Sequence, residues 1–181
     1  MIRKLLAALG IGALLSACAS TPPTIPPVAS VDMPRFMGDW YVIAQIPTYI
    51  ERKAFDSVES YRLDTDGKIR TTFRYRNGSA DAPLKTMEPV GRVVPGTNNA
   101  VWEMQFVWPI QAEYVIVDLA PDYSRTIVGR SKRDYVWLMA RQPSLPAPEL
   151  AAAIEKIRAL GYDTAKLRMV PQSAATATTK P

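Results

Sequence analysis

Between Met33 and Pro143 apolar and polar residues alternate with a period of two, in short runs interrupted by Pro34, Pro47, Pro83, Pro89, Pro95, Pro109 and Pro121. Tyr61 and Leu63 are apolar where Ser60 and Arg62 are polar, and Thr65-Asp66-Gly67 then supplies a turn. In the next run Ile69, Phe73 and Tyr75 fall on one face and Arg70, Arg74 and Arg76 on the other, as in a sheet with one face in a core and one in water. Trp102, Met104, Phe106 and Trp108 share a face opposite Glu103 and Gln105, and Tyr135, Trp137, Met139 and Arg141 share one opposite Val136, Leu138 and Ala140. These runs, rich in Val, Ile, Thr and aromatics, predict about eight strands: 38–46, 56–64, 68–77, 84–94, 99–108, 111–119, 124–130 and 134–142. Their short connections suit an up-and-down antiparallel meander, whose free edges vanish on closure into a barrel. The predicted fold class is therefore all-β, an eight-stranded barrel with room for one small ligand.

After the last strand the period becomes helical. Pro148 suits a first turn, Glu149 favours its positive end, Leu150, Ile154, Ile157 and Leu160 recur at helical spacing, and Gly161 closes the segment. An apolar stripe on one C-terminal helix predicts packing on the outside of the barrel, against the outward-facing Val136, Leu138 and Ala140.

The two ends read differently from this body. Arg3 and Lys4 precede the uncharged run Leu5–Leu15, too short for a spanning helix, which needs about 20 residues, but suited to a secretory leader. Leu15-Ser16-Ala17-Cys18 resembles the bacterial lipoprotein box, in which the Cys is acylated and becomes the first residue after cleavage. Several acyl chains, at about 0.8 kcal/mol per buried CH₂, would hold a soluble domain at a membrane, and Ala19 after the Cys implies sorting to the outer membrane. The expected organisation is a leader over 1–17, lipidated Cys18 with a Pro-rich linker over 18–32, a barrel plus helix over 33–172, and a disordered tail over 173–181.

Composition narrows the chemistry. The 181 residues contain one Cys and no His, which excludes a disulfide framework, His-ligated metal and His-dependent nucleophilic catalysis. No catalytic residue, metal or cofactor is expected. The formal charge is +5, and loss of Arg3 and Lys4 with the leader lowers it to +3, too mild to suggest nucleic acid.

Met33-Pro34-Arg35-Phe36-Met37-Gly38-Asp39-Trp40-Tyr41 entering the first strand, Ala120-Pro121-Asp122-Tyr123 between strands six and seven, and Arg133 to Arg141 along the last strand resemble the motifs of the lipocalin family. Pro121 departs from the family's turn pattern. With the lipoprotein box, the chain is similar to lipocalins of the bacterial outer membrane. The resemblance implies that Gly38, Trp40 and Arg141 are architectural: the Trp plugs the closed end of the barrel and the Arg lies across its face, a contact worth roughly 0.5–2 kcal/mol. It implies a periplasm-facing, lipid-anchored protein that binds, stores or transports a fatty acid or lysophospholipid.

With Trp40 pointing inward, period two carries Val42, Ala44 and Ile46 inward too. The expected ligand-binding interior is Ala44, Tyr61, Phe73, Tyr75, Trp102, Met104, Phe106, Tyr114, Ile116, Tyr135 and Trp137, with small Ala44 and Gly91 leaving room. Glu59 and Asp118 share faces with inward residues, so they either sit at a wet mouth or need partners. Residues 47–55 form a candidate lid whose Arg52 and Lys53 would attract an anionic head group. The alternatives are an envelope interaction protein with a filled barrel and an enzyme on the same scaffold. The sequence leaves open the lipid, the direction of transport and the oligomeric state, a homodimer included.

Overall fold

A computed structural model describes residues 24–173. The leader, Cys18 and residues 174–181 lie outside them. A single turn α1 (Met33–Phe36) leads into β1 (Gly38–Ile46), β2 (Ala54–Leu63), β3 (Lys68–Asn77), β4 (Leu84–Met87), β5 (Val90–Val93), β6 (Val101–Val107), β7 (Ile110–Leu119), β8 (Arg125–Gly129) and β9 (Val136–Ala140). Helix α2 (Ala147–Ala159), a 3₁₀ turn (Thr164–Lys166) and the short β10 (Arg168–Met169) follow. Every strand pairs antiparallel with its neighbours and β1 pairs with β9, so the sheet closes. β4 and β5 both pair with β3 and together take one place in an eight-position wall. The predicted strand 84–94 is thus split at Glu88-Pro89, and β10 is an addition that extends β1 at Ala44 and Gln45.

The two faces of the wall bury two clusters. Inside lie Phe36, Trp40, Val42, Tyr61, Ile69, Trp102, Met104, Tyr114, Ile116, Val128, Trp137 and Met139. Outside, Val136, Leu138 and Ala140 pack with Ala153 and Ile157 of α2, as the helical stripe predicts, with Leu150 and Leu160 partly buried beside them. Pro148, Glu149 and Gly161 hold the predicted start and stop; Gly161 has φ +88° and Arg133 Nε donates to the Leu160 carbonyl at 2.7 Å.

Strand parity is where the structure corrects the sequence. In β1, Val42 pairs with Met139 but Ala44 pairs with Leu138, so Ile43 is a bulge and every later side chain changes face. Ala44 and Ile46, expected inside, belong to the outer cluster, and Gln45 turns inward, fully buried. A bulge between Ile116 and Asp118 does the same in β7. Asp118 is therefore outside, accepting from Arg125 Nη1 at 2.8 Å and facing Lys156 of α2 at 3.6 Å. A third irregularity lies between Phe55 and Val58. The backbone groups released by the irregularities in β1 and β2 are taken up by the chain after β10. Val170 N donates to Ile43 O at 2.9 Å, Asp56 N donates to Pro171 O at 2.9 Å, and buried Gln172 Nε2 donates to Val42 O and Ser57 O.

The part of the Pro-rich linker that is described does not stand off the barrel. Ile25 is fully buried in the outer cluster, Val31 is buried in the inner one, and Val28 N donates to Ile116 O at 2.9 Å. Residues 24–32 form a strap along the wall. Prolines set an extended backbone there, but the apolar residues between them supply the adhesion.

Candidate functional site

One end of the barrel is sealed by the motif residues. Trp40 is fully buried and its Nε1 donates to Phe36 O at 2.8 Å. The Arg141 guanidinium lies 3.8 Å from the Trp40 ring and donates to the carbonyls of Arg35, Phe36, Met37, Asp39 and Tyr123. Gly38 has φ +92°, so the position needs glycine for its backbone, and a Cβ there would only touch Arg141 Nη1 at 3.4 Å. Tyr123 in the β7–β8 turn accepts from Asp32 N at 2.8 Å and carries Arg35 over its ring at 4.0 Å, so the departure at Pro121 leaves the turn's contacts to α1 in place.

Above this seal the expected interior residues divide into a plug and a cavity wall. Phe36, Tyr61, Trp102 and Tyr114 interlock, Trp102 stacking on Tyr114 with centroids 4.9 Å apart, and Ile116 packs among them. Tyr61, Trp102 and Ile116 thereby form the floor. Gly91 leaves no free space: a Cβ there would lie 2.5 Å from Met104 Sδ. Leu63, expected inside, lies beyond the plug and is exposed.

The cavity opens at the other end. Its main lobe, about 260 Å³, is lined by Thr48, Tyr49, Ile50 and Glu51 from the β1–β2 connection and by Glu59, Phe73, Met87, Phe106, Tyr135 and Trp137 from the wall. A smaller lobe of about 100 Å³ shares Thr48, Phe106, Tyr135 and Trp137 and adds Met104, Ala112, Tyr114 and, at its edge, Glu113 and Arg130. Tyr75 backs the wall, stacked on Phe73 with centroids 4.9 Å apart. A larger hollow of about 440 Å³ lies on the wall near the β4–β5 break, where Arg62, Arg70, Glu88 and Thr71 alternate with Tyr61, Pro89 and Val90, so its lining is mixed.

Two carboxyls give the main lobe its polar character, and only Glu59 was visible in the alternation. Tyr61 Oη donates to Glu59 Oε2 and hydrogen-bonds Tyr114 Oη at 2.7 Å. Glu59 Oε1 has no partner among the described residues, and the side chain's residual exposure is toward the cavity. Burial lifts the Glu59 carboxyl to about 7, against the opposing hydrogen bond from Tyr61 and with the nearby Glu51 adding to the rise. Burial also raises both tyrosines, keeping their hydroxyls neutral.

Glu51, missed in the sequence because it sits between exposed Ile50 and Arg52, turns into the barrel. Its Oε1 accepts from Trp137 Nε1 at 2.9 Å and its Oε2 from Thr48 N at 3.1 Å and Thr48 Oγ1 at 2.5 Å. Burial raises its pKa against those three bonds. The bond to Trp137 pins the β1–β2 connection to β9, the strand that closes the barrel against β1, and the inward Gln45 adds to it by donating to Glu51 O at 3.2 Å. Arg52 and Lys53, the expected head-group residues, are exposed and do not line the cavity; Arg52 lies over the Tyr49 ring instead.

A meander barrel sealed by a Trp–Arg pair at one end, open at the other and wrapped by one outer helix is the architecture of a binding calyx. The chain belongs to the lipocalin-like domain family, which it matches over residues 31–172. It is similar to the outer membrane lipoprotein Blc of Vibrio cholerae, 28% identical over 162 residues that cover 88% of this chain and 93% of that one. It is also similar to temperature-induced lipocalin-1 of Arabidopsis thaliana, 26% identical over 158 residues, 81% of this chain and 82% of the relative. Among solved structures, insecticyanin of the tobacco hornworm Manduca sexta shares the fold with a TM-score of 0.65 at 19% identity, covering 84% of this chain and 87% of that one.

Proposed function

We propose that this chain is a membrane-anchored lipid-binding lipocalin, tethered through acylated Cys18 to the periplasmic side of the outer membrane, and that it stores or transports a fatty acid or lysophospholipid in the cell envelope. The observation that carries the reading is the cavity: about 260 Å³, walled by Phe73, Met87, Phe106, Tyr135 and Trp137 and open at one end only. That is near the small end of ligand pockets, roughly 300–1,000 Å³, and suits one extended chain. A remaining cavity of this size also argues against a filled barrel. The outer-membrane lipoprotein among its relatives supports an envelope location, and the family supports binding rather than catalysis.

The carboxyls set the ligand's orientation. An ionised head group placed beside Glu59 and Glu51 would be buried with no cation lining that lobe, whereas at the mouth it would meet Arg52 and Lys53 across solvent. The chain enters tail first and the head stays outside. Native mass spectrometry of protein purified from the envelope tests the reading: a bound single-chain lipid is expected in the parent and none in a folded Met87→Trp variant. An empty parent, with equal palmitate affinity in parent and variant on titration, would overturn it.

A further inference from the structure

The antiparallel order brings the β1–β2, β3–β4, β6–β7 and β8–β9 connections to the open end. Eight large apolar side chains are exposed among the described residues, and six of them cluster there: Tyr49 at 80%, Ile50 at 46%, Leu84 at 53%, Phe106 at 44%, Trp108 at 81% and Ile110 at 69%. They come from three separate connections, so no local run of sequence explains their meeting. A soluble surface does not ordinarily gather its large apolar groups at one rim.

The charges on this rim have one dominant sign. Arg52, Lys53, Lys85 and Lys132 are exposed, and none is paired with a carboxylate among the described residues. Of the acids near them, Glu51 is turned inward, Asp134 is tied to Arg130 and Glu113 to Ser131, which leaves Asp81 as the exposed unpaired acid among the described residues against four unpaired cations. At the opposite end Asp64 and Asp66 are exchanged among Arg62, Lys68 and Arg70, which leaves a mixed surface.

The strap shows where the chain departs. Thr24 N donates to Ser131 Oγ at 2.9 Å, and Ser131 lies in the β8–β9 connection at the open end, while Asp32 at the other end of the strap reaches Tyr123 at the seal. Cys18 precedes Thr24 by six residues, a reach of at most about 20 Å for an extended chain.

We propose that the open end of the barrel docks on an anionic lipid bilayer, with Tyr49, Ile50, Trp108 and Ile110 entering the interface and the basic residues beside them on the head groups. Aromatic side chains favour the bilayer–water boundary, and lysines and arginines next to it gain from anionic lipid. The cavity mouth then faces the leaflet, and a lipid passes between bilayer and calyx without crossing bulk water. This rests on the acylation reading only for the tether; the rim stands without it.

The test uses the mature acylated protein in vesicles of phosphatidylcholine with phosphatidylglycerol, carrying a fluorophore through Ile110→Cys or, at the sealed end, through Asp66→Cys. Quenchers embedded in the bilayer are expected to reduce emission at position 110 at least threefold and to leave position 66 unchanged. Adding Arg52→Ala and Lys53→Ala should at least halve the quenching at 110 on the anionic vesicles. Equal accessibility of both positions to water, or deeper quenching at 66, overturns the proposal. The intact mass of the same preparation reports acylation separately. An acylated protein with position 110 in water keeps the anchor and rejects the docking, and an unacylated one whose position 110 is still quenched does the reverse.

Discussion

Glu59 is held at about 7 by burial, above the roughly 4.3 of an unfolded glutamate. Between these values the folded chain keeps a proton that the unfolded chain has lost, so this residue's contribution to stability falls as pH rises from about 4.3 to about 7 and is level above that. Glu59→Gln is expected to stabilise the protein by roughly 2–3 kcal/mol at pH 8 and hardly at all at pH 4, because Gln still accepts from Tyr61. Urea midpoints at the two pH values decide it, and an identical gain at both would show that folding does not raise the pKa of this carboxyl. Trp40 sits at the other extreme of residue roles: it is fully buried, under a guanidinium and bonded to Phe36 O. Trp40→Ala should cost roughly 3–5 kcal/mol, read as a lowered denaturant midpoint.

Among the elements, β1 shows how one extra residue redistributes a whole strand. Its alternation places Trp40, Val42, Ala44 and Ile46 on one face, and the bulge at Ile43 hands the last two to the outer cluster and Gln45 to the interior. Ala44→Trp is therefore expected to overpack the outer cluster, costing roughly 1–3 kcal/mol, while palmitate affinity of the folded protein stays as in the parent. Thermal melts beside a ligand titration check both halves. Loss of affinity in a well-folded variant would return Ala44 to the cavity. The bulge is tolerated because the segment after β10 supplies the missing partners, Val170 to Ile43 O and Gln172 to Val42 O. Alternation inside one strand carries no trace of donors that arrive from more than a hundred residues away.

For the whole molecule, the strap joins the two ends of the calyx, from Ser131 at the mouth to Tyr123 at the seal. It is part of the fold's stability and not a spacer. Ile25→Ala should lower stability by roughly 2–4 kcal/mol, the range for a buried aliphatic truncation, although it lies eight residues before α1. An unchanged midpoint would mean that residues 24–32 detach in solution.

The eight-position order of the wall, its closure and the outer helix follow from the sequence by itself, and the seal of Gly38, Trp40 and Arg141 from its resemblance to the lipocalins. The wall and helix rest on local physics: a period of two, turn residues at the breaks and a helical stripe. Tertiary structure alone decided which interior residues became floor and which became wall, since Phe73 and Trp102 look alike in alternation but only one faces free volume. It also decided the faces of Ala44 and Asp118, the filling of the space beside Gly91 by Met104, and the inward turn of Glu51 toward Trp137. Each of these depends on a partner distant in the chain, and a pattern read along one strand has no term for it.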